Sequence, residues 1–287
     1  MSCCSRPPLD YHGLVPNARG LSLISDRFLL WLARAGLAGR GVVFLILGGF
    51  AASASLGQGS RPVGTTGALH VLIASPAGWA AVVPIAVGLF CFAIFRALEA
   101  IFDVHGYGGG LRGGLRRAAL GAAGISYVAL AVIAAAIVSG WPVATDPDQK
   151  VRGWTAWLLS IPGGDWIVGI AGLITVCVGV GLAVGALRGS FNRRLRVDRD
   201  QRPYVTALGT VGLLSRAVIF VLIGAFLVFA AVTANPNDAE GFGGALRAVQ
   251  RQPYGDWLLG ITALGFLAFG LFGLGEAVFA EIKRGKR

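Results

Sequence analysis

The stretch Pro253-Tyr254-Gly255-Asp256-Trp257 introduces an apolar run that continues to about residue 280. It has two earlier counterparts, Pro76-Ala77-Gly78-Trp79 and Pro162-Gly163-Gly164-Asp165-Trp166, each also followed by an apolar run. Nine residues before each proline stands a glycine: Gly67, Gly153 and Gly244. Each unit therefore reads as a hydrophobic helix, a loop ending in Pro-x-Gly and Trp, and a second hydrophobic helix. Internal repetition of about 85–90 residues with two apolar segments per unit predicts a triplicated membrane protein.

Composition supports the same class. Of 287 residues, 55% are hydrophobic and 14% charged, and mean hydropathy is +0.70. A soluble domain carries about 25% charged residues, so this chain lacks the polar surface to face water. Six stretches are long enough to cross a ~30 Å hydrocarbon core: roughly 41–57, 79–101, 118–140, 166–187, 211–233 and 257–280. Their apolar runs are continuous and do not alternate as barrel strands do. The expected fold is all-α, with six transmembrane helices as three tandem hairpins in a pseudo-three-fold arrangement. The expected organisation is a flexible tail (1–26), repeats at 27–105, 112–190 and 204–282, and a basic tail at 283–287. Residues 1–26 lack the apolar core of a cleavable signal peptide. Cys3 and Cys4 are read as reduced thiols, with acylation as the alternative. Cys91 and Cys177 fall inside spans as packing residues, and no cysteine spacing suits a metal or other cofactor.

Charge sets the expected orientation. Six spans place 20 of the 25 basic residues on the side of the two ends and the even-numbered turns. The opposite side holds Arg61, Lys150, Arg152, Arg247 and Arg251. The loops are short, so the positive-inside rule predicts a multi-pass protein of the cell membrane with both termini cytoplasmic. The net charge of +11 then reflects topology and contact with anionic lipid head groups. It does not point to nucleic acid, because no aromatic platforms are interleaved with the basic residues.

Laid over one another, the units share further positions. Arg40-Gly41-Val42-Val43-Phe44 aligns with Ala123-Gly124-Ile125-Ser126-Tyr127 and Arg216-Ala217-Val218-Ile219-Phe220. Six residues upstream stand Arg34, Arg117 and Thr210. The mixed apolar and basic lead-in from Asp26 to Gly39 is read as an interfacial amphipathic helix, with extension of a long tilted span as the alternative. In the connecting loops, Leu69 and Leu72, Thr155 and Leu158, and Leu246 and Val249 keep an i, i+3 spacing that predicts a short surface helix stopped by the proline. Trp79, Trp166 and Trp257 would then sit at the headgroup level as anchors. Glu99 and Glu276 each stand 23 residues after their proline, where the middle unit has Gly185. Arg and Glu are thus both present in the outer units and both missing from the middle one. A charge in lipid is costly without a partner, so Arg40 with Glu99, and Arg216 with Glu276, are expected to meet at one membrane edge. They do so either within a hairpin or with a neighbouring repeat, as structural ion pairs.

Ala33-Arg34-Ala35-Gly36, Arg40-Gly41-Val42-Val43-Phe44 and the Pro-x-Gly-Trp loops resemble the domain-of-unknown-function 1206 family over about Ala33 to Phe279. The resemblance implies a bacterial membrane protein with a paired-helix unit occurring three times. It brings no established activity or catalytic residue. The middle unit departs from it at Ala123.

No enzyme is expected. His12, His70 and His105 are scattered, and Gly106-Tyr107-Gly108-Gly109-Gly110 lacks the Lys-Ser/Thr ending of a phosphate loop and reads as a turn. Two functions remain. One is a non-catalytic scaffold or accessory subunit, with another membrane protein or a second copy as partner through glycine-rich faces such as Gly169, Gly172, Gly179, Gly181 and Gly185. The alternative is a channel or transporter for a small uncharged or weakly polar solute, built around a central axis. A water-lined axis would favour the second. An axis plugged by side chains such as Phe90, Phe92 and Phe226 would favour the first.

Overall fold

The computed structural model describes residues 26–57, 62–74, 78–102, 110–141, 147–189 and 202–279. The N-terminal residues with Cys3, Cys4 and His12, the loop proline Pro76, His105 with the turn at 106–109, and the basic residues 283–287 lie outside them. Among the described residues the regular structure is helical: α1 (Asp26–Ser55), α2 (Thr65–Ile73), α3 (Gly78–Phe102), α4 (Leu111–Val138) and α5 (Pro147–Leu159), then α6 (Gly164–Leu187), α7 (Arg202–Thr233), α8 (Phe242–Gln250) and α9 (Gly255–Phe279). Helix is the form that satisfies every backbone N–H and C=O without water. The six long ones, α1, α3, α4, α6, α7 and α9, are each long and apolar enough to span. The protein is a multi-pass membrane protein of three tandem hairpins, α1–α3, α4–α6 and α7–α9, with pseudo-three-fold arrangement.

One expectation is corrected. The lead-ins are not separate interfacial helices: α1 and α7 run unbroken from Asp26 and Arg202 through their spans. Phe28 to Gly39 contains no proline or turn signal, and its Leu, Ala and Arg residues continue a helix at no propensity cost.

The hairpins meet in a cyclic order. The second helix of each packs on the first helix of the next: α3 on α4, α6 on α7, and α9 back on α1. Small residues set these joints at equivalent positions. A methyl on Gly41 would lie 2.9 Å from the Gly270 carbonyl oxygen, one on Gly179 3.0 Å from that of Ala217, and one on Gly124 3.5 Å from that of Ala93. With no hydrophobic drive between helices in lipid, this close approach is what dispersion attraction requires.

Within the hairpins the three-fold breaks. α1 packs on α3, and α7 on α9, but α4 and α6 of the middle hairpin form no packed pair. The residues that close the outer hairpins explain why. A Cβ on Gly36 would stand 2.6 Å from the Phe92 Cα, and one on Gly212 2.6 Å from the Phe269 Cα. The middle unit has Ala119 at that position, and Val178 where the others have the phenylalanine. A further contact, Gly39 on Gly88 in the first hairpin, becomes Ser215 on Gly265 in the third. In the second the corresponding pair is Ala122 and Ile174, and both are exposed. The middle hairpin thus has side chains, Ala119, Ala122 and Ile174, at positions where the outer hairpins have glycine or serine.

The connecting segments carry α2, α5 and α8 as short helices at one end of the bundle, as the i, i+3 spacing predicts. Each Pro-x-Gly glycine is fixed by the same contact. A Cβ on Gly78, Gly164 or Gly255 would run into the carbonyl of Leu72, Leu158 or Gln250 respectively.

Candidate functional site

At the end of the bundle that carries the termini, three guanidinium groups converge on two phenylalanine rings. Arg40 stands 5.3 Å from the Phe92 centroid and 4.9 Å from that of Phe269. Arg96 shares Phe92 at 4.8 Å, and Arg216 shares Phe269 at 5.6 Å. Arg216 also faces Phe44 and Phe220, at 5.6 and 5.3 Å. Such contacts lower the cost of holding cations away from water. The Gly36 and Gly212 contacts bring Phe92 and Phe269 to this level, so the glycines that close the outer hairpins also build the floor of the cluster.

The carboxylates are shared between repeats. Arg40 of the first repeat donates to Glu276 of the third, with Nη2 to Oε2 at 2.6 Å across the α9–α1 joint. Glu99, with 3% of its side chain exposed, accepts from Arg96 one turn earlier at 2.7 Å. The expected pairing of Arg216 with Glu276 is corrected: among the described residues no carboxylate lies within ion-pairing distance of Arg216. The joints explain this. Packing runs from a second helix to the following first helix, which brings Glu276 to Arg40; at the equivalent positions the α3–α4 joint has Glu99 and Ala123, and the α6–α7 joint has Gly185 and Arg216. The Arg216 guanidinium instead acts electrostatically on Tyr127, on α4. Tyr127 in turn stacks edge-on against Phe92 at 4.6 Å. It is the middle repeat's counterpart of Phe44 and Phe220, and its hydroxyl is its distinguishing feature. The Nε groups of Arg40, Arg96 and Arg216 are all buried without a hydrogen-bond acceptor.

Arg117 ties the α3–α4 joint in another way. Its Nε and Nη2 donate to the carbonyls of Ala100 and Ile101, at 2.7 and 2.9 Å. These are unsatisfied groups of the last turn of α3, which a basic side chain is suited to cap.

A second charged network joins the loop helices at the opposite end. The fully buried Asp148 of α5 accepts from Arg247 of α8 at 2.5 Å and from the Gly241 N–H at 3.0 Å. Arg152 reaches Glu240 at 2.6 Å, and Arg247 also lies 3.4 Å from Glu240. The network clasps the second repeat to the third. Replacing Asp148 by Ala leaves the Gly241 N–H unmet while Arg247 keeps Glu240, and should cost about 2 kcal/mol. Thermal unfolding in detergent, with Asp165→Ala as a surface control, measures it.

Of the residues singled out from the sequence, Arg40, Glu99, Arg216 and Glu276 lie in or beside the guanidinium cluster. Gly67 and Gly244 are buried in α2 and α8, whereas Gly153 is exposed in α5. Pro162 and Pro253 precede α6 and α9. Trp79, Trp166 and Trp257 are 63%, 73% and 78% exposed on the bundle exterior. The sequence reading did not single out Arg96, Tyr127, Asp148 or Glu240 as site residues. Arg96 was legible from its i, i+3 spacing to Glu99. The Asp148 network was not, because its members come from different loops.

Comparison with known proteins agrees with the repeats. The family model described as Domain of Unknown Function (DUF1206) matches residues 35–103, 118–189 and 211–280. A protein of Bacillus subtilis (strain 168), described as uncharacterized protein YxxB, is 30% identical over 270 residues, covering 92% of this chain and 97% of that protein. No solved structure matches the chain.

Proposed function

The chain belongs to the Domain of Unknown Function (DUF1206) family, and on that premise we propose that it is a non-catalytic scaffold or accessory subunit of the bacterial cytoplasmic membrane. The observation that carries this is the filled interior. Phe266 is 0% exposed, and Phe44, Phe269 and Phe272 are buried with it among Leu47, Ala51, Ile219 and Leu259, while Phe92 is 0% exposed beside Tyr127. Phe226 packs against the same cluster, while Phe90 turns outward. Aromatic side chains across the axis favour close packing over a wet path. The outer flanks of α4 and α6, with Val132, Ile170 and Ile174 exposed, are faces on which a partner helix would lie.

The tests are direct. Proteoliposomes containing the protein should release glycerol and urea no faster than empty vesicles, and faster release would point to the channel instead. A photo-crosslinking residue at Ile174 should give a discrete adduct with a membrane protein, either a second copy or another chain. No adduct at any outward position of α4 and α6 would remove the scaffold reading.

For orientation, the basic residues support termini on the cytoplasmic side. In a background free of native cysteines, Leu56→Cys should react with an impermeant thiol reagent added outside intact cells, and Gly110→Cys only after permeabilisation. The reverse pattern would invert the topology.

A further inference from the structure

Beside the charged clasp of the loop helices, the third repeat holds a cavity of about 210 Å³. Phe226 of α7 lines it with an aromatic ring, and Gly244 and Ala248 of α8 line it with small residues. Its polar lining is Glu240, Arg247, Arg251 and Gln252. Sites for drug-sized ligands run to roughly 300–1,000 Å³, so this one suits a smaller organic molecule. Its free hydrogen-bonding capacity is all on the donor side. Both side-chain bonds of Arg247 leave from Nη2, to Asp148 and Glu240, so Nη1 and Nε keep their donors. The side chains of Arg251 and Gln252 make no hydrogen bond or ion pair among the described residues. The one carboxylate is already engaged, Glu240 Oε1 by Arg152 and Oε2 by Arg247. In the clasp Asp148 and Glu240 balance Arg152 and Arg247, which leaves Arg251 as the surplus cation at the cavity.

The other two repeats build the corresponding loop helix without any of this. Arg247 and Arg251 correspond to His70 and Ala74 in the first repeat, and to Ala156 and Ser160 in the second. Glu240 corresponds to Val63 and Gln149. Gly244 makes room for the arrangement, since a Cβ there would stand 1.8 Å from Glu240 Oε2. The guanidinium pair is therefore not needed to form or seat a loop helix. Two arginines at i, i+4 share one side of α8 and can converge on one anion.

We propose that this cavity binds a small organic acid, a carboxylate on a compact apolar body. Arg251 and Arg247 take the carboxylate, because a planar guanidinium fork matches its two oxygens. The Gln252 amide adds a neutral donor, and Phe226 meets the apolar part. The clasp serves the site as well as the fold: Asp148 and Glu240 fix Arg247 through Nη2 and leave its other donors for the ligand. The site holds whether or not the protein is a scaffold, because it rests on the cavity and the charges alone.

The full-length chain, purified in a neutral detergent, is titrated with benzoate, and with benzamide and benzylamine as its uncharged and cationic counterparts. Saturation-transfer NMR on the probes reads binding, and the thermal midpoint without ligand reads folding. Benzoate should bind saturably with a Kd on the order of 1 mM, and the other two about tenfold more weakly or worse. Arg251 and Gln252 are exposed, so Arg251→Gln and Gln252→Glu should each leave the midpoint unchanged. Each should weaken benzoate by about tenfold or more, the first by removing the fork and the second by setting a carboxylate beside it. No saturable binding of benzoate, equal binding of benzamide, or undiminished affinity in Arg251→Gln would each overturn the site. If inorganic phosphate displaces benzoate and binds as tightly, the apolar part of the assignment is overturned. If phosphatidylglycerol displaces it and phosphatidylcholine does not, the ligand is a lipid head group and the small acid is overturned.

Discussion

Gly36→Leu should destabilise the protein by more than about 3 kcal/mol, while the same leucine at Ala119 should change stability by less than about 0.5 kcal/mol. The two positions are equivalent in the repeat, so sequence-level propensity gives no reason for a difference. The structure does. A Cβ at Gly36 already stands 2.6 Å from the Phe92 backbone and cannot be accommodated by rotating a side chain. Leucine there must force α1 and α3 apart, which also withdraws Phe92 from the guanidinium groups of Arg40 and Arg96. Ala119 is exposed in the hairpin that does not close. Gly212→Leu should behave like Gly36→Leu, since its Cβ meets the Phe269 backbone at the same distance, 2.6 Å. The temperature at which half the protein leaves the monodisperse peak on size-exclusion chromatography ranks the variants. Equal loss at Gly36 and Ala119 would mean that the middle hairpin packs like the others.

The second large effect is a coupling. Arg40→Ala and Glu276→Ala should each cost about 3 kcal/mol, because each strands the other's charge in a site where the Arg40 side chain is only 7% exposed. The cost at Glu276 falls toward the lower end of that range, since it is more accessible and Arg40 can turn to its aromatic neighbours. The double variant should cost less than the singles combined, with a coupling of roughly 1–3 kcal/mol. Arg216→Ala combined with Glu276→Ala should couple more weakly, since Arg40 holds that carboxylate. Coupling confined to Arg216 and Glu276 would contradict the inter-repeat pairing.

Much of this protein was fixed by features a single chain displays locally. Apolar runs of about 20 residues, the absence of alternation, and the Pro-x-Gly-Trp marks at Pro76, Pro162 and Pro253 are enough to specify six helices in three hairpins, because in lipid an apolar run has few alternatives to helix. The loop helices were legible for the same reason, their i, i+3 pattern being local. The lead-in from Asp26 to Gly39 was less so: its amphipathic character suits an interfacial helix and a long span equally, and only the continuous course of α1 separates them. Contact partners belong to a different category. Arg40 and Glu99 stand on paired helices of one hairpin, so the nearest partner in sequence is the natural expectation. The ring closes instead by setting α9 on α1, which brings Glu276 to Arg40 over 236 residues of chain. The same closure leaves Arg216 without a carboxylate among the described residues, and the middle hairpin, with Ala119 and Ile174 where the outer hairpins have glycine, does not pack. The sequence determined what each helix is; which faces meet was decided by how closely the backbones approach. That depends on glycines and phenylalanines from different repeats fitting one another in space, a relation no single stretch of the chain contains.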